Sequence, residues 1–521
     1  MNNLRILFVN VCLRKGSPVK ILPVGLASVM TYIRTNGYEF ELFDIDINDY
    51  EDDVVEEKIK NSSYDVILLG SIVTHYKWVK WFTKMVKSHH PETKLVIGNS
   101  VGASCYQAFM EHTPTDVLVV GEGELSCFET LNAFRDETGL EGINGIVFRA
   151  ENGRVVKNPP RKASDIDALP MVEWDFFDVP RYISRSENMS FGGLDPSVKP
   201  VSFPVTTARG CVFKCTFCHY VYWDDPYRKR SVDQVIAEIR RNMEKYGANY
   251  MAFWDDLSFS SLTQVEKMTD AILASGLKFN WDAAVRVDLF GNPQIAYERR
   301  LAIARKMKAA GCVAAGFSLE SGDEEILTMM NKKIKASYFT EQIRVLREAG
   351  IASNTSVVFG YPIETKETIK KTFDMCLESK VYPSIGFLLP LPYTGMYDYA
   401  RKNGFIPDED AFLTGITERQ DICINMTKMS DEEIMGAIKE GAQNLNRLLE
   451  LGLNEKKLVR TGGYAKHTGK KSKEAKKPLD PEDMKRNVND FSFNYSDTIF
   501  VKDQTENEIF KEGSPQAPKN P

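Results

Sequence analysis

The chain is 521 residues long, enough for roughly three or four domains of typical size. With 43% apolar and 26% charged residues, its composition excludes a mostly disordered or fibrous protein. The balance of 66 Lys and Arg against 72 Asp and Glu leaves a net charge of -6, which argues against a general nucleic-acid binder. No apolar run approaches the roughly 18–20 residues of a membrane helix. The start, Met1 to Val9, has too short a hydrophobic stretch for a signal peptide, so a cytoplasmic protein with no transmembrane segment is expected.

Residues 1–145 alternate short apolar strands with helices. Strands are expected at Arg5–Asn10, Phe40–Phe43, Val66–Leu69, Leu95–Ile97 and Val117–Val120, with helices over about Gly25–Asn36 and Lys77–His89. This pattern predicts a doubly wound parallel sheet, whose ligands bind beyond the carboxyl ends of the strands. Small residues gather at those ends: Ser71, Gly98, Ser100, and Gly121 and Gly123 around Glu122. Each alone could make a turn; together they suggest an edge where backbone approaches a ligand, with Ser71, Gly98, Gly121 and Glu122 as its candidates.

Residues 146–200 lack clear periodicity, contain Pro159, Pro160, Pro170, Pro180, Pro196 and Pro200, and read as a linker packed across both domains. A second alternating region covers 201–405. Its expected strands are Val201–Thr207, Tyr250–Trp254, Lys278–Ala284, Val313–Leu319, Ser353–Phe359 and Ser384–Leu389, with helical stretches between them. Six strand–helix repeats are too few for a full eight-fold barrel and predict a partial (β/α)6 barrel. Residues 406–455 form a small helical region, with a capping box at Ser430 and Glu433. Residues 456–521, with a lysine run and a Pro-rich end, are expected to be mostly disordered.

Six of nine cysteines are scattered singly and read as small buried hydrophobes. The other three, Cys211, Cys215 and Cys218, have C-x3-C-x2-C spacing directly after the first strand of the second region. In a reducing compartment such a cluster indicates metal binding. Soft thiolates suit zinc or an iron–sulfur cluster. A zinc site wants a fourth ligand, and His219 is adjacent to Cys218, from where it rarely reaches the same metal. Three thiolates on a cubane leave one iron open for a substrate or cofactor.

The run from Arg209 to Cys218, with Phe217 just before the last cysteine, resembles the radical S-adenosylmethionine superfamily. The resemblance implies that Cys211, Cys215 and Cys218 hold a 4Fe–4S cluster whose open iron chelates S-adenosylmethionine. Phe253-Trp254-Asp255-Asp256 stands where the superfamily has a Gly-Gly-Glu-like motif. The sequence departs from that motif, so Asp255 and Asp256 are candidates for the cofactor's ammonium, with a helix cap as the other reading. Arg286 could pair with its carboxylate as a bidentate cation, or be a surface arginine. Ser318 and Glu320, in Gly316–Gly322, resemble the edge that bonds ribose hydroxyls. Gly360–Thr365 resembles the Gly-x-Pro-x-Glu-Thr turn, with an adenine-site role or a plain turn both open.

The first domain, with Leu22-Pro23-Val24-Gly25-Leu26 and the Gly121–Glu124 turn, is similar to the cobalamin-binding class of that superfamily. The two resemblances cover about residues 3 to 410. They imply a corrinoid facing the S-adenosylmethionine site and methylation of an unactivated carbon. An Asp-x-His-x-x-Gly motif, which supplies a lower axial histidine in many cobalamin domains, is missing; His75 is the candidate nearest a strand end.

The expected function is therefore a cobalamin-dependent radical C-methyltransferase. Oxidative cyclisation or rearrangement, and a non-catalytic corrinoid or redox sensor, are the alternatives. Methylthiolation would want further clustered cysteines. Expected partners are a small-molecule or peptide substrate and an electron donor such as flavodoxin or ferredoxin. The runs Tyr220–Trp223 and Pro390–Tyr393 could line an apolar pocket or pack in the core.

Overall fold

A computed structural model describes residues 4–17, 19–186, 194–195, 197–219, 226–416, 422–455, 458–459 and, for the backbone, 499–500. Five strands, β1 (Ile6–Asn10), β2 (Glu41–Asp44), β3 (Val66–Gly70), β4 (Lys94–Gly98) and β5 (Val117–Val119), pair in parallel in the order β2-β1-β3-β4-β5. Their side chains alternate between two apolar layers. Leu7, Val9, Ile67, Leu69, Leu95 and Ile97 pack against Val79, Phe82 and Phe109. Ile6, Phe8, Val66, Leu68 and Val96 pack on the other face with Ala27, Met30 and Ile33. Burial on both faces explains why the strands read as continuous apolar runs. The winding direction reverses between β1 and β3, which opens a crevice at their carboxyl ends.

The sheet is larger than the periodicity indicates. β6 (Ile146–Arg149) and β7 (Val155–Lys157), in the segment read as a linker, continue it as an antiparallel hairpin beside β5. Gly153, at φ +80°, makes the tight turn. The signal was short: strands of four and three residues hold too few side chains to display a period. The rest of that segment ties both halves of the molecule together. Tyr182 Oη donates to Asp44 at the end of β2, 2.9 Å away, while buried Trp174 packs edge-on against Phe203. Pro196 lies outside the described residues.

Phe203 belongs to β8 (Ser202–Val205), the edge of a second sheet. A two-residue ribbon follows, β9 (Ala208–Arg209) with β10 (Arg228–Lys229). Then come β11 (Tyr250–Phe253), β12 (Asn280–Ala284), β13 (Cys312–Glu320), β14 (Ala352–Phe359), a short β15 (Val381–Tyr382) and β16 (Ser384–Phe387). Six of these pair in parallel, in the order β16-β14-β13-β12-β11-β8, and the two edges are not paired with each other. The result is the expected open (β/α)6 barrel. Met251, Phe253, Trp281, Phe317, Leu319 and Val357 point out into the apolar layer beneath the helices. The alternating positions, including Ala252, Asp282, Ala284, Gly316, Asn354 and Ser356, face the lumen.

The capping box at Ser430 and Glu433 forms and opens the helix Asp431–Leu448. Ahead of that helix, Asp410 accepts from Tyr76 Oη at 2.8 Å and pairs with Lys80, fastening this region to the first domain. The expectation of a disordered tail falls outside the described residues, except at Leu458–Val459 and at β17 (Ile499–Phe500), which pairs with β15. Among the described residues no helix is long and apolar enough to cross a membrane.

Truncating Trp174, which is fully buried between the two domains, leaves a large cavity. The substitution Trp174→Ala is expected to cost about 3–5 kcal/mol. A clearly lowered melting temperature would show it, and an unchanged one would mean that the segment carries no packing load.

Candidate active site

A cavity of about 800 Å³ connects the two sheets. One wall is the carboxyl edge of the first sheet: Asn10 and Val11 after β1, Gly70 and Ser71 after β3, Gly98 and Asn99 after β4, and Gly121 to Glu124 after β5. The opposite wall is the barrel mouth: Thr206, Ala208, Gly210, Trp254, Asp255 and Asp256, and deeper Asp282, Ala284, Gly316 and Asn354. Gly121 has φ +101° and open space where a Cβ would stand; at Gly98 a Cβ would meet only the Leu69 carbonyl at 3.9 Å. The small residues singled out from the sequence thus floor a space that larger ones would fill, as a broad planar group such as a corrin requires. Ser71, Gly98 and Gly121 could hold it. His75 does not line the cavity: its Nδ1 lies 3.1 Å from Ser71 Oγ and its ring stacks on Trp78. Burial lowers its pKa to about 4, so the ring is neutral at pH 7.

Glu122 has a different setting from the bare cavity edge the sequence suggested. Its carboxylate is 9% exposed and pairs with Arg209 at 3.0 Å and Arg228 at 2.7 Å. Glu124 holds the same Arg209 at 2.7 Å and accepts from Ser28 Oγ at 2.6 Å. Burial alone would raise Glu122, but the guanidinium groups of Arg228 and Arg209 outweigh it and hold the carboxyl below its ordinary range. These pairs join the edge of the first sheet to β9 and β10, and Arg209 stands two residues before Cys211.

The cysteine loop is fastened at several points. Thr216 donates its backbone N–H to Met330 O at 2.9 Å and its hydroxyl to Met329 O at 3.0 Å, and accepts from Met396 N at 2.9 Å. Asn331 Nδ2 donates to Lys214 O at 2.7 Å. Cys215 is buried and Cys218 exposed; desolvation by neighbouring protein, with Asp256 and the other two thiols, pushes Cys218 up to about 12. Cys211 and Cys215 are also raised, chiefly by burial. Such neighbouring thiols ionise together only against compensating positive charge, which a metal centre provides. Among the described residues no three His, Cys, Asp or Glu side chains converge tightly enough for one metal ion. A mononuclear zinc site needs all ligands within about 2.3 Å of one point. A cubane takes each thiolate on its own iron corner, so three thiols spread around one loop fit it better.

The other predicted residues separate into free and engaged groups. Asp256 opens onto the cavity with no hydrogen-bond partner among the described residues, and desolvation raises its carboxyl. Asp255 instead accepts from Thr207 N at 2.9 Å, Thr207 Oγ1 at 2.6 Å and Ala208 N at 3.1 Å, fixing the strand end that leads into the cysteine loop. Burial lifts it to about 6. Arg286 is not a surface residue. Its guanidinium lies 3.3 Å over the Phe213 ring, donates to Asp288 at 3.0 Å and to Lys332 O at 2.8 Å. Ser318 Oγ lies 2.8 Å from Ser356 Oγ, and buried Glu320, at φ +64°, is paired with Lys332 at 2.8 Å. Phe217 lies edge-on to Tyr361 and 5.8 Å beneath Lys332 Nζ.

Sequence reasoning passed over Lys332, Asp282 and Asn354. Lys332 reaches the cysteine loop only through the fold; its signal was a basic pair, Lys332-Lys333, just past the fourth strand. Asp282 and Asn354 are polar residues at inward positions of strands, which alternation alone could have marked. The runs Tyr220–Trp223 and Pro390–Tyr393 divide: the first is outside the described residues, and in the second Leu391 packs against the first domain's core.

The family model for the radical SAM superfamily matches residues 205–376, and that for the B12 binding domain matches residues 14–129. The chain belongs to the cobalamin-binding radical SAM superfamily, and it is an enzyme. Its cofactors are a 4Fe–4S cluster, S-adenosylmethionine and cobalamin. It is 25% identical over 388 residues to an uncharacterised methyltransferase of Pyrococcus horikoshii, covering 74% of this chain and 79% of that one. It is 26% identical over 361 residues to an anaerobic magnesium-protoporphyrin IX monomethyl ester cyclase of Rubrivivax gelatinosus, covering 68% of this chain and 61% of the relative. The cobalamin-dependent S-adenosylmethionine radical enzyme OxsB, solved with aqua-cobalamin and S-adenosylmethionine, shares the fold at a TM-score of 0.62 and 17% identity. That match covers 87% of this chain and 62% of OxsB.

Two expectations follow from this geometry. Arg209→Ala leaves two buried carboxylates short of a partner and is expected to cost about 3 kcal/mol. Because Glu122 is held below its ordinary pKa, its pairing contributes stability above the ordinary carboxylate range and loses it as pH falls through the folded value. Melting temperatures on acidification should therefore fall less steeply in Arg209→Ala than in the wild type. Gly98→Leu should fold normally yet fill the cavity floor; cobalt analysis after loading with cobalamin should show clear loss, and full cobalt retention would remove Gly98 from the corrinoid site.

Proposed function

We propose that this protein is a C-methyltransferase that acts on an unactivated carbon of a small substrate. One observation carries the reading: a single cavity runs from the small-residue edge of the first sheet to the barrel mouth beside the cysteine loop. The likeness to the archaeal methyltransferase supports it. When bound, the cluster and S-adenosylmethionine supply one-electron hydrogen abstraction, and the corrinoid supplies the methyl group.

The chain's own residues bind and orient. Cys211, Cys215 and Cys218 hold the cluster, with Phe217 packed beside it. Asp256, open to the cavity, receives the ammonium of S-adenosylmethionine in this reading, and Ser318 bonds a ribose hydroxyl. Asp255 and Arg286 act through others: the first fixes the strand leading into the loop, the second braces Phe213 and the Lys332 carbonyl. Arg286 and Lys332 also lend positive charge to the thiols, favouring their ionised form. Glu320 positions Lys332. Ser71, Gly98 and Gly121 seat the corrinoid, and Glu122 keeps its domain in register with the barrel. A flavodoxin- or ferredoxin-type donor supplies the electron, in a reducing cytoplasm that suits nine cysteines without a disulfide framework.

A second reading, oxidative cyclisation, is supported by the equally similar cyclase relative. The two differ in their products. Anaerobically reconstituted enzyme with reductant and substrate should release both 5′-deoxyadenosine and S-adenosylhomocysteine if it methylates, whereas cyclisation releases the first without the second. Replacing Cys211, Cys215 and Cys218 by alanine should abolish the bound iron and sulfide of protein reconstituted without cobalamin, and all S-adenosylmethionine cleavage by the fully loaded enzyme. Retention of either would overturn the assignment of those three residues.

A further inference from the structure

The barrel lumen is lined by small and polar side chains where closed barrels carry bulky branched ones. Across the sheet the inward positions run Pro204, Ala252, Asp282 and Ala314 in one layer and Ala284, Gly316 and Asn354 in the next. The cavity enters between them, with Asp282 and Asn354 in its deep wall. Tyr250 Oη donates to Asp282 Oδ2 at 2.8 Å and fixes the carboxylate; Oδ1 has no partner among the described residues. Asn354 is 8% exposed, lines the cavity and makes no side-chain hydrogen bond among the described residues. Its carboxamide is not among the buried unsatisfied groups, so its polar atoms open onto the cavity, where a ligand can meet them.

The charges on the wall are one-sided. Lys20 is held by Asp46 and Asp49, Arg209 by Glu122 and Glu124, and Arg230 by Glu238. Asp282 has no such cation among the described residues; burial raises its carboxyl, and the Tyr250 bond offsets part of that rise. A half-buried carboxylate turned to this cavity attracts a cation that none of the described residues is seen to provide. Asp256, at the mouth, answers to S-adenosylmethionine; Asp282 lies deeper in the lumen.

We infer that the lumen is the substrate chamber and that the substrate carries a protonated amine, seated on Asp282, with a second hydrogen-bonding group meeting Asn354. Asn354 stands two strands across from Asp282 and one pleat nearer the strand ends, roughly 10 Å away between Cα atoms. A polar molecule a few bonds long reaches both. The small residues between them, Ala284 and Gly316, leave the room it occupies. This inference rests on the methyltransferase reading for the reaction, and narrows its substrate to amine-bearing polar molecules rather than lipids or tetrapyrroles.

The test uses anaerobically reconstituted holoenzyme and three matched probes, butylamine, butanol and butyrate, at equal ionic strength. Titrations followed by thermal shift should show butylamine binding at least about tenfold tighter than butanol, as expected for a charge-assisted bond. Butyrate should not bind. Asp282→Asn should lose that preference. Ala284→Leu, which fills the chamber without changing charge, should lose all response. Equal binding of the three probes, or an unchanged preference in Asp282→Asn, overturns the chamber. So does weakened S-adenosylmethionine binding in Asp282→Asn with the amine response intact, since that would assign the carboxylate to the cofactor.

A second arm separates this inference from the reaction. Cell-extract metabolites are divided by cation and anion exchange and added to the wild-type enzyme with reductant. The cationic fraction should raise S-adenosylhomocysteine release above the substrate-free rate. If the anionic fraction does so instead, the chamber inference falls and the methylation reading stands. If the cationic fraction raises 5′-deoxyadenosine alone, methylation falls and the chamber stands.

Discussion

The arrangement of this molecule depends on one buried ionic knot, in which Glu122 and Glu124 at the edge of the first sheet share Arg209, and Glu122 also holds Arg228. Arg209 is two residues from Cys211, and Arg228 lies on the strand paired with it. The knot therefore couples the wall proposed for the corrinoid to the loop proposed for the cluster. Buried ion pairs contribute little net stability against an apolar alternative, because desolvation offsets their attraction. What they supply here is register. Two carboxylates and two guanidinium groups satisfy one another in one docking geometry, and a shift of either domain leaves a buried charge unpaired.

The same logic orders the rest of the site. Most charges at the cavity and around the cysteine loop are spent on holding structure: Lys20 against Asp46 and Asp49 on the cavity wall, and, beside the loop, Lys332 against Glu320 and Arg286 against Asp288 and backbone carbonyls. Paired groups keep their positions and cost little to bury. Asp256 and Asp282 stand apart, turned to the cavity without a cation among the described residues. Asp282 is half-buried and Asp256 exposed, and the desolvation cost each carries shows in the upward shift of its carboxyl. A ligand that brings positive charge relieves that cost, which is how an enzyme turns stored electrostatic strain into recognition.

Several features could be read from residue order alone. Short apolar stretches marked the parallel strands to within a few residues; in the centre of the first sheet they are continuous, since those strands are buried on both faces. The helices between followed from their 3.6-residue period, and C-x3-C-x2-C marked the loop proposed for the cluster because its three thiols are neighbours along the chain. The small residues after β3, β4 and β5 likewise sit where the doubly wound rule puts a ligand. Each of these is a local property: the physical cause lies within about ten residues of the effect.

What the fold alone settled is which side chains are free. Asp255 and Asp256 are adjacent and chemically equal, yet one is consumed by Thr207 and Ala208 while the other faces the cavity. Glu122 is a docking group rather than a bare cavity edge, because Arg228 arrives from more than a hundred residues away. Asp282, Asn354 and Lys332 gain meaning only when strands far apart in sequence close around one lumen. Hydrogen bonds and ion pairs are formed with whatever the tertiary structure brings within about 3 Å, and residue order does not record that distance. Periodicity could therefore announce the architecture and the chemistry of the loop, while the division of labour among the charged residues waited on packing.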